Sequence, residues 1–311
     1  MNNFSKFLLF GTLVVSLMSC DKVEFPYEQQ ATISLDTNLY PGVWQDYLDN
    51  EYPQFPANTN DLRNALLEEY TGHLCNNCPT AAIVAKSIHE ANPSRVFVAK
   101  IHADPGSLMS FQQFNPNGSS FYTDHTNPDG ILYGIEFQNG FNFSGNPSGN
   151  VSRKVFDGKL FDLSGTWQTR VADILADSDL KVNIQSEFNF YAATNGGFLH
   201  AEFEKLTSDE VPMKAVVYVI QDSLVDWQLM PNNTPNEFYT HRDKHLGSID
   251  GNAFGVDLFS PDAALGDKII LDYSYAIPAG LDKDNMHFLI YVYDASPNSY
   301  EILQVIKQDI E

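Results

Sequence analysis

The sequence predicts an α/β domain followed by an all-β antiparallel sandwich domain. Three observations carry that reading. Residues 65–103 run as a short apolar segment, a Cys-x-x-Cys pair, a segment of helical period and a second short apolar segment. From Asp179 onward the chain instead runs as short stretches of rough two-residue alternation, without a helical period. The first twenty residues have the layout of an export signal.

Taken in order, residues 1–19 carry Lys6, an apolar core over 7–17, and then Met18-Ser19-Cys20. That core is too short to span a bilayer and suits the central region of a signal peptide. The residues before Cys20 resemble a bacterial lipobox, which implies removal of 1–19 and lipidation of Cys20. Several acyl chains on one residue give stable anchoring. Residues 20–60, with Pro26, Pro41, Pro53 and Pro56, read as a tether. Within it, 31–35 is an edge-strand candidate and 40–48 a docking segment or short helix.

The α/β domain is expected over 61–178. Its first strand is 65–70, broken by Thr71-Gly72; Ala81, Ala82, Val84, Ala85 and Ile88 then recur at helical spacing. Val96, Phe97, Val98, Ala99 and Ile101 form the second strand, apolar on both faces as a buried parallel strand is. A crossover of this kind puts its ligand-facing end at the carboxyl ends of the strands, where Cys75 and Cys78 fall. Residues 104–143, rich in Gly, Pro, Asn and Phe, read as an insertion over that end with short helices at 108–114 and 130–137. A strand at 151–156 and a helix at 165–177 close the domain.

Leu66-Leu-Glu-Glu-Tyr-Thr-Gly-His73-x-Cys75-x-x-Cys78-Pro79 resembles the outer membrane protein 28-related bacterial lipoproteins, and the whole arrangement resembles a thioredoxin-like domain. The resemblance implies an address at the cell outer membrane, held by lipid on Cys20, without naming a reaction. It also implies that Pro147 is a cis proline opposite the cysteines, and that Glu69 stands near the buried acid that handles the second thiol's proton. Two departures bear on chemistry: Asn76-Asn77 fills the dipeptide, and Leu74 replaces the usual aromatic before the first cysteine.

Three cysteines less Cys20 leave the pair 75 and 78, and an exported chain meets an oxidising compartment, so a Cys75–Cys78 disulfide is expected. Three uses are open for it. A structural bond in a binding domain is one. Redox turnover is another, with Cys75 attacking from a helix N-terminus and Cys78 resolving. In the third, His73 and His102 join the cysteines as metal ligands; otherwise His73 is a loop residue bonded to backbone and His102 a strand end under the insertion. No cofactor is expected.

Residues 179–311 are expected to form the sandwich, with strands near 181–190, 198–206, 213–221, 268–275, 287–293 and 302–309 and a hairpin signal at Asn195-Gly196-Gly197. Residues 227–259 read as a long binding loop carrying Trp227, Phe238, Tyr239, His241 and His245, the two histidines solvated unless used. Asp282, Asp284 and Asn285 lack the rest of a calcium loop and read as a turn. A net charge of −22, or −23 once Lys6 is removed with the signal, argues against nucleic acid as a partner. The expected partners are outer-membrane lipid through Cys20 and a protein or glycan.

Overall fold

Residues 35–310 are described by the structure, a computed structural model. The signal peptide, Cys20 and all but the last residue of the edge strand expected at 31–35 lie outside them. The described chain enters through α1 (Trp44–Asn50), whose Tyr47 is fully buried. The Tyr47 hydroxyl bonds to His200 and lies 3.2 Å from Asn189 Oδ1, so this segment docks on strands far along the chain.

β1 (Ala65–Thr71), α2 (Cys78–Ala91) and β2 (Val96–His102) form the expected parallel crossover. Both strands are buried throughout, and their side chains alternate between two cores. Ala65, Leu67, Val96 and Val98 meet Ala81, Ala85 and Ile88 of α2, while Leu66, Tyr70, Phe97 and Ile101 face the other way.

Inside the insertion, α3 (Pro128–Gln138) forms with Tyr133 and Phe137 four residues apart and fully buried. The helix expected at 108–114 is a series of turns, because Asp104 takes the Phe111 N–H and the Gln112 side chain for itself. β3 (Ser148–Val151) pairs antiparallel with β1 at the sheet edge. It ends where the expected strand at 151–156 was to begin. Ser152 and Arg153 have φ of 50° and 47°, which turns the chain and carries Arg153 inward. α4 (Ser164–Ala176) then packs Trp167, Val171 and Ile174 beside α2.

The remaining strands are β4 (Val182–Tyr191), β5 (Gly196–Lys205), β6 (Met213–Gln221), β7 (Leu224–Leu229), β8 (Pro235–His241), β9 (Lys244–Ser248), β10 (Val256–Phe259), β11 (Lys268–Ala276), β12 (Met286–Asp294) and β13 (Ile302–Asp309). β11, β5 and β4 make a three-stranded antiparallel sheet. The others do not build a separate sandwich domain. β13, β12, β6 and β9 continue directly into β2, β1 and β3 as one sheet, with β10 paired to β6. The seam is β9, antiparallel to β6 and parallel to β2 through Lys100 and Lys244. One core crosses the expected domain boundary: Leu66, Tyr70, Tyr133 and Phe137 pack with Tyr218, Leu289, Tyr291 and Val305. The small sheet covers the opposite face of β6, β12 and β13, and that local two-sheet stack is what the alternation in the sequence reported.

The expected binding loop at 227–259 is therefore mostly strand: the hairpin β7–β8, then the seam and β10. Its strands pair within the hairpin and within the large sheet, so it is a built surface.

Candidate functional site

β1 ends at Thr71, and the chain turns through Gly72-His73-Leu74 into the cysteines. Cys75 N–H donates to Gly72 O at 3.0 Å and Cys78 N–H to Cys75 O at 3.2 Å. Cys75 and Cys78 are joined as a disulfide with Cα atoms 5.4 Å apart. Cys78, with Pro79 after it, opens α2, so Cys75 stands a turn ahead of the helix rather than on it. Pro79 fits there because the first helical turn needs no donor from it.

Both cysteines are 1% exposed. Two segments close over them. From the insertion, Phe111 O accepts from Leu74 N–H at 3.1 Å, and Gln112 Nε2 donates to Thr71 O at 2.7 Å. Gly72 permits this approach, since a Cβ there would lie 2.6 Å from Gln112 Nε2 and 2.7 Å from Phe111 O. From the other side, Leu229 N–H of the β7–β8 hairpin donates to His73 O at 2.8 Å, Gln228 Nε2 to Cys75 O at 3.1 Å, and Asn76 Nδ2 to Asn233 Oδ1 at 2.7 Å. The two covers touch through Phe121 and Trp227, whose rings are 5.7 Å apart.

The Asn146–Pro147 bond is cis. The β1–β3 register sets Pro147 one step beyond the Tyr70–Ser148 pair, level with Thr71. Asn146 Nδ2 fixes that turn on Ala103 O at 2.9 Å, Asp104 Oδ1 at 3.0 Å and Thr71 O at 3.1 Å. Glu69 is fully buried on the α2 side of β1, and no hydrogen-bond donor among the described residues reaches either of its carboxylate oxygens. Lys100, its cross-strand neighbour, stands 3.8 Å away. Burial outweighs that lysine and pushes the Glu69 carboxyl up to about 7.

His73 and His102 do not join the sulfurs, which are committed to each other. They meet two histidines that lie far away in sequence. Ring centres are 5.1 Å apart for His73–His125, 5.0 Å for His102–His125, 4.9 Å for His125–His241 and 5.6 Å for His102–His241. All four are at least 95% buried. Burial lowers the pKa of each: His102 well below its usual value, His125 to about 2 and His241 to about 4. His73 Nε2 bonds to Gln113 O at 2.7 Å, a loop histidine on backbone, and His102 ends β2 beneath the insertion.

The expected binding-loop residues divide. Phe238 is 75% exposed, and Trp227 and Tyr239 are half-buried. His241 and His245 are not solvated. His241 joins the cluster, while His245 is held in the α3-side core, its ring 4.2 Å from that of Tyr218. Buried Asp226 and Lys244 also face the cluster, and burial lowers the Lys244 ammonium to about 8. His125 and Asp226 carry no sequence signal. His125 sits in an aperiodic insertion and Asp226 is a lone acid in the mostly apolar run 224–230, and only the closing of the covers brings them together.

The fold is that of a strand–helix–strand unit with a disulfide at the start of its helix and a cis proline just before the edge strand β3, extended by further strands. No protein-family model matches the chain, and no curated protein does. Among solved structures it is similar to HBP35 of Porphyromonas gingivalis, with a TM-score of 0.60, 16% identity, and 81% of this chain covering 76% of that one. Protein AGR_C_4864 from Agrobacterium tumefaciens gives 0.47 at 11% identity over 80% and 96%. A domain of the outer membrane lipoprotein Omp28 from Porphyromonas gingivalis gives 0.28 at 17% identity over 43% and 90%. Among the described residues no helix is long and apolar enough to cross a membrane.

Proposed function

We propose that this chain is a lipid-anchored outer-membrane protein that binds a protein or glycan partner, its Cys75–Cys78 disulfide serving as a fixed internal clamp. One observation carries the reading: the disulfide lies sealed beneath two covers, each of which leaves large apolar side chains exposed among polar ones. Leu108 and Phe114 on the insertion are 61% and 40% exposed, and Val225 and Phe238 on the hairpin 56% and 75%. Large apolar side chains left exposed on both covers offer the contact area an interaction face needs. A catalytic disulfide must instead present a sulfur to a client. The anchor is Cys20, and the acidic body stays in solution. Metabolic labelling with a fatty acid should mark the protein, and Cys20→Ala should abolish the label.

The binding test uses V225D and F238D together, since deleting the hairpin would uncover the disulfide as well. Capture from envelope extracts should fall at least about tenfold relative to the parent chain; unchanged capture would refute this face as the binding surface.

A second reading, thiol–disulfide exchange through Cys75 and Cys78, is favoured by Glu69, a buried carboxyl with a raised pKa beside α2. Cys78→Ala would then accumulate a client disulfide-linked to Cys75. Absence of that species, with a reduction potential below about −300 mV, sustains the clamp.

A further inference from the structure

We propose, on the footing of the binding face described above, that the ligand of the two covers is an uncharged glycan. The covers are nearly free of charge. Residues 105–127 hold one charged residue, Asp124, and residues 224–240 hold two, Asp226 and Glu237, in a chain that is 19% charged. Asp226 is buried. Neither stretch contains a Lys or Arg. Beyond the hairpin, Arg242 pairs with Asp222 at 3.4 Å and Lys244 is buried. A sulfated or uronic glycan would find no free cation on this face, and the net charge of −22 would repel it.

The exposed rings are spaced among polar groups rather than massed. Phe114, Tyr122 and Phe238 are all exposed; Asn115 follows the first, Thr123 the second, and Asn236 and Thr240 flank the third. A pyranose ring has a face of C–H groups bounded by a rim of hydroxyls, so it fits an aromatic ring with amide and hydroxyl neighbours. A protein interface instead asks for a continuous apolar centre. The two covers offer one run of such rings. Phe238 lies on the Val225–Thr240 face of the hairpin. Trp227 sits at the bulge in β7, where a strand re-aims a side chain, and meets Phe121, the neighbour of Tyr122.

The asparagines carry a second argument. Asn115 Oδ1 accepts from Asn117 N–H at 3.3 Å, Asn232 Oδ1 from Thr234 N–H at 3.1 Å and Asn236 Oδ1 from Phe238 N–H at 3.0 Å. Only the amide oxygen can meet a backbone N–H, so each NH2 is turned the other way. Asn233 gives its Oδ1 to Asn76. Among the described residues none of these four NH2 groups meets an acceptor. Amide donors thus stand beside the aromatic rings, and sugar hydroxyls are acceptors of the matching kind. The covers are pinned by backbone bonds to His73, Leu74 and Cys75, so little of the face has to be ordered on binding.

The full-length mature protein is titrated by calorimetry with dextran, mannan and laminarin, and with alginate as the charged comparator. At least one of the three neutral polymers should bind, with affinity changing less than about twofold from roughly 50 to 500 mM salt, and alginate should not. Tyr122→Ala and Phe238→Ala should each weaken binding about tenfold. Asn236→Asp keeps the oxygen that holds Phe238 and removes the donor, and should weaken it about threefold or more. Leu265→Ala, exposed but outside both covers, should bind like the parent. Binding of no neutral polymer, binding of alginate alone, or affinity undiminished in the two aromatic variants would overturn the inference. Capture from envelope extracts separates this failure from that of the face itself. Capture that survives protease digestion and is lost after periodate oxidation of vicinal diols supports a glycan. Capture destroyed by protease and indifferent to periodate keeps the face but makes its ligand a protein, and equal capture by the V225D/F238D chain removes the face and the inference together.

Discussion

Glu68 and Glu69 are consecutive on β1, equally buried, and face opposite sides of the same sheet, yet the two sides treat a carboxylate in opposite ways. On one side Arg153 grips Glu68 with Nε at 2.9 Å and Nη2 at 2.8 Å, Tyr218 OH donates at 2.9 Å and Asn150 Nδ2 at 3.0 Å. Burial alone would raise the Glu68 pKa, but Arg153 and these donors hold it below the usual carboxylate range. On the other side Glu69 has only a lysine 3.8 Å away, and burial raises its pKa to about 7. The difference separates what holds the fold from what is kept available. The fully bonded Glu68 carboxylate ties β1, β3 and β6 together, whereas Glu69, left without a donor, lies toward the end of the strand that leads to the disulfide.

The comparison breaks most visibly at Arg153. Replacing it with Ala strands a buried carboxylate and should cost about 3–5 kcal/mol of unfolding free energy in urea titrations. A loss below about 1 kcal/mol would mean that Glu68 does not depend on it. Glu69→Gln tests the other face through pH. The folded pKa stands above the unfolded one, so between about 4.5 and 7 the folded chain keeps a proton that the unfolded chain releases. Stability from this group is full below that window and lost as pH rises through it. In Glu69→Gln the decline from pH 5 to 7.5 should shrink by roughly 1–3 kcal/mol, and an unchanged slope would contradict a neutral Glu69.

Removing the disulfide with Cys75→Ala and Cys78→Ala should cost about 2 kcal/mol or less, because the loop it closes is so short. A much larger loss in thermal unfolding would make it a staple for the entire fold. The smallest effect on stability belongs to V225D with F238D, within about 0.5 kcal/mol, since these side chains face solvent. Their effect should appear in partner capture alone.

The crossover was legible because the apolar period switches from strand to helix to strand around Thr71-Gly72 and Asn92-Pro93. The strands of the second half showed through alternation, but the hairpin turn falls at residues 192–195, closed by Asn195 at φ 52°, and Gly196-Gly197 of the expected turn already pair within β5. The joining of the two halves was not legible. Its seam, Lys244-His245-Leu246-Gly247-Ser248, has neither β-branched residues nor clean alternation, and it reaches β2 through a single residue pair. β3, Ser148-Gly-Asn-Val151, is equally weak as a strand sequence; pairing with β1 overrides its composition. At the site, the cysteines, Glu69 and Pro147 were readable from order along the chain. The histidine cluster draws on residues 73, 102, 125 and 241, and no local spacing announces a set assembled by two covers.

The sealed disulfide is tested most directly by exposing the folded protein to a small phosphine reductant and trapping thiols over time. The account predicts that Cys75 and Cys78 stay oxidised for hours in buffer and are reduced within minutes once the chain is unfolded in denaturant. Rapid reduction in the folded state would contradict it.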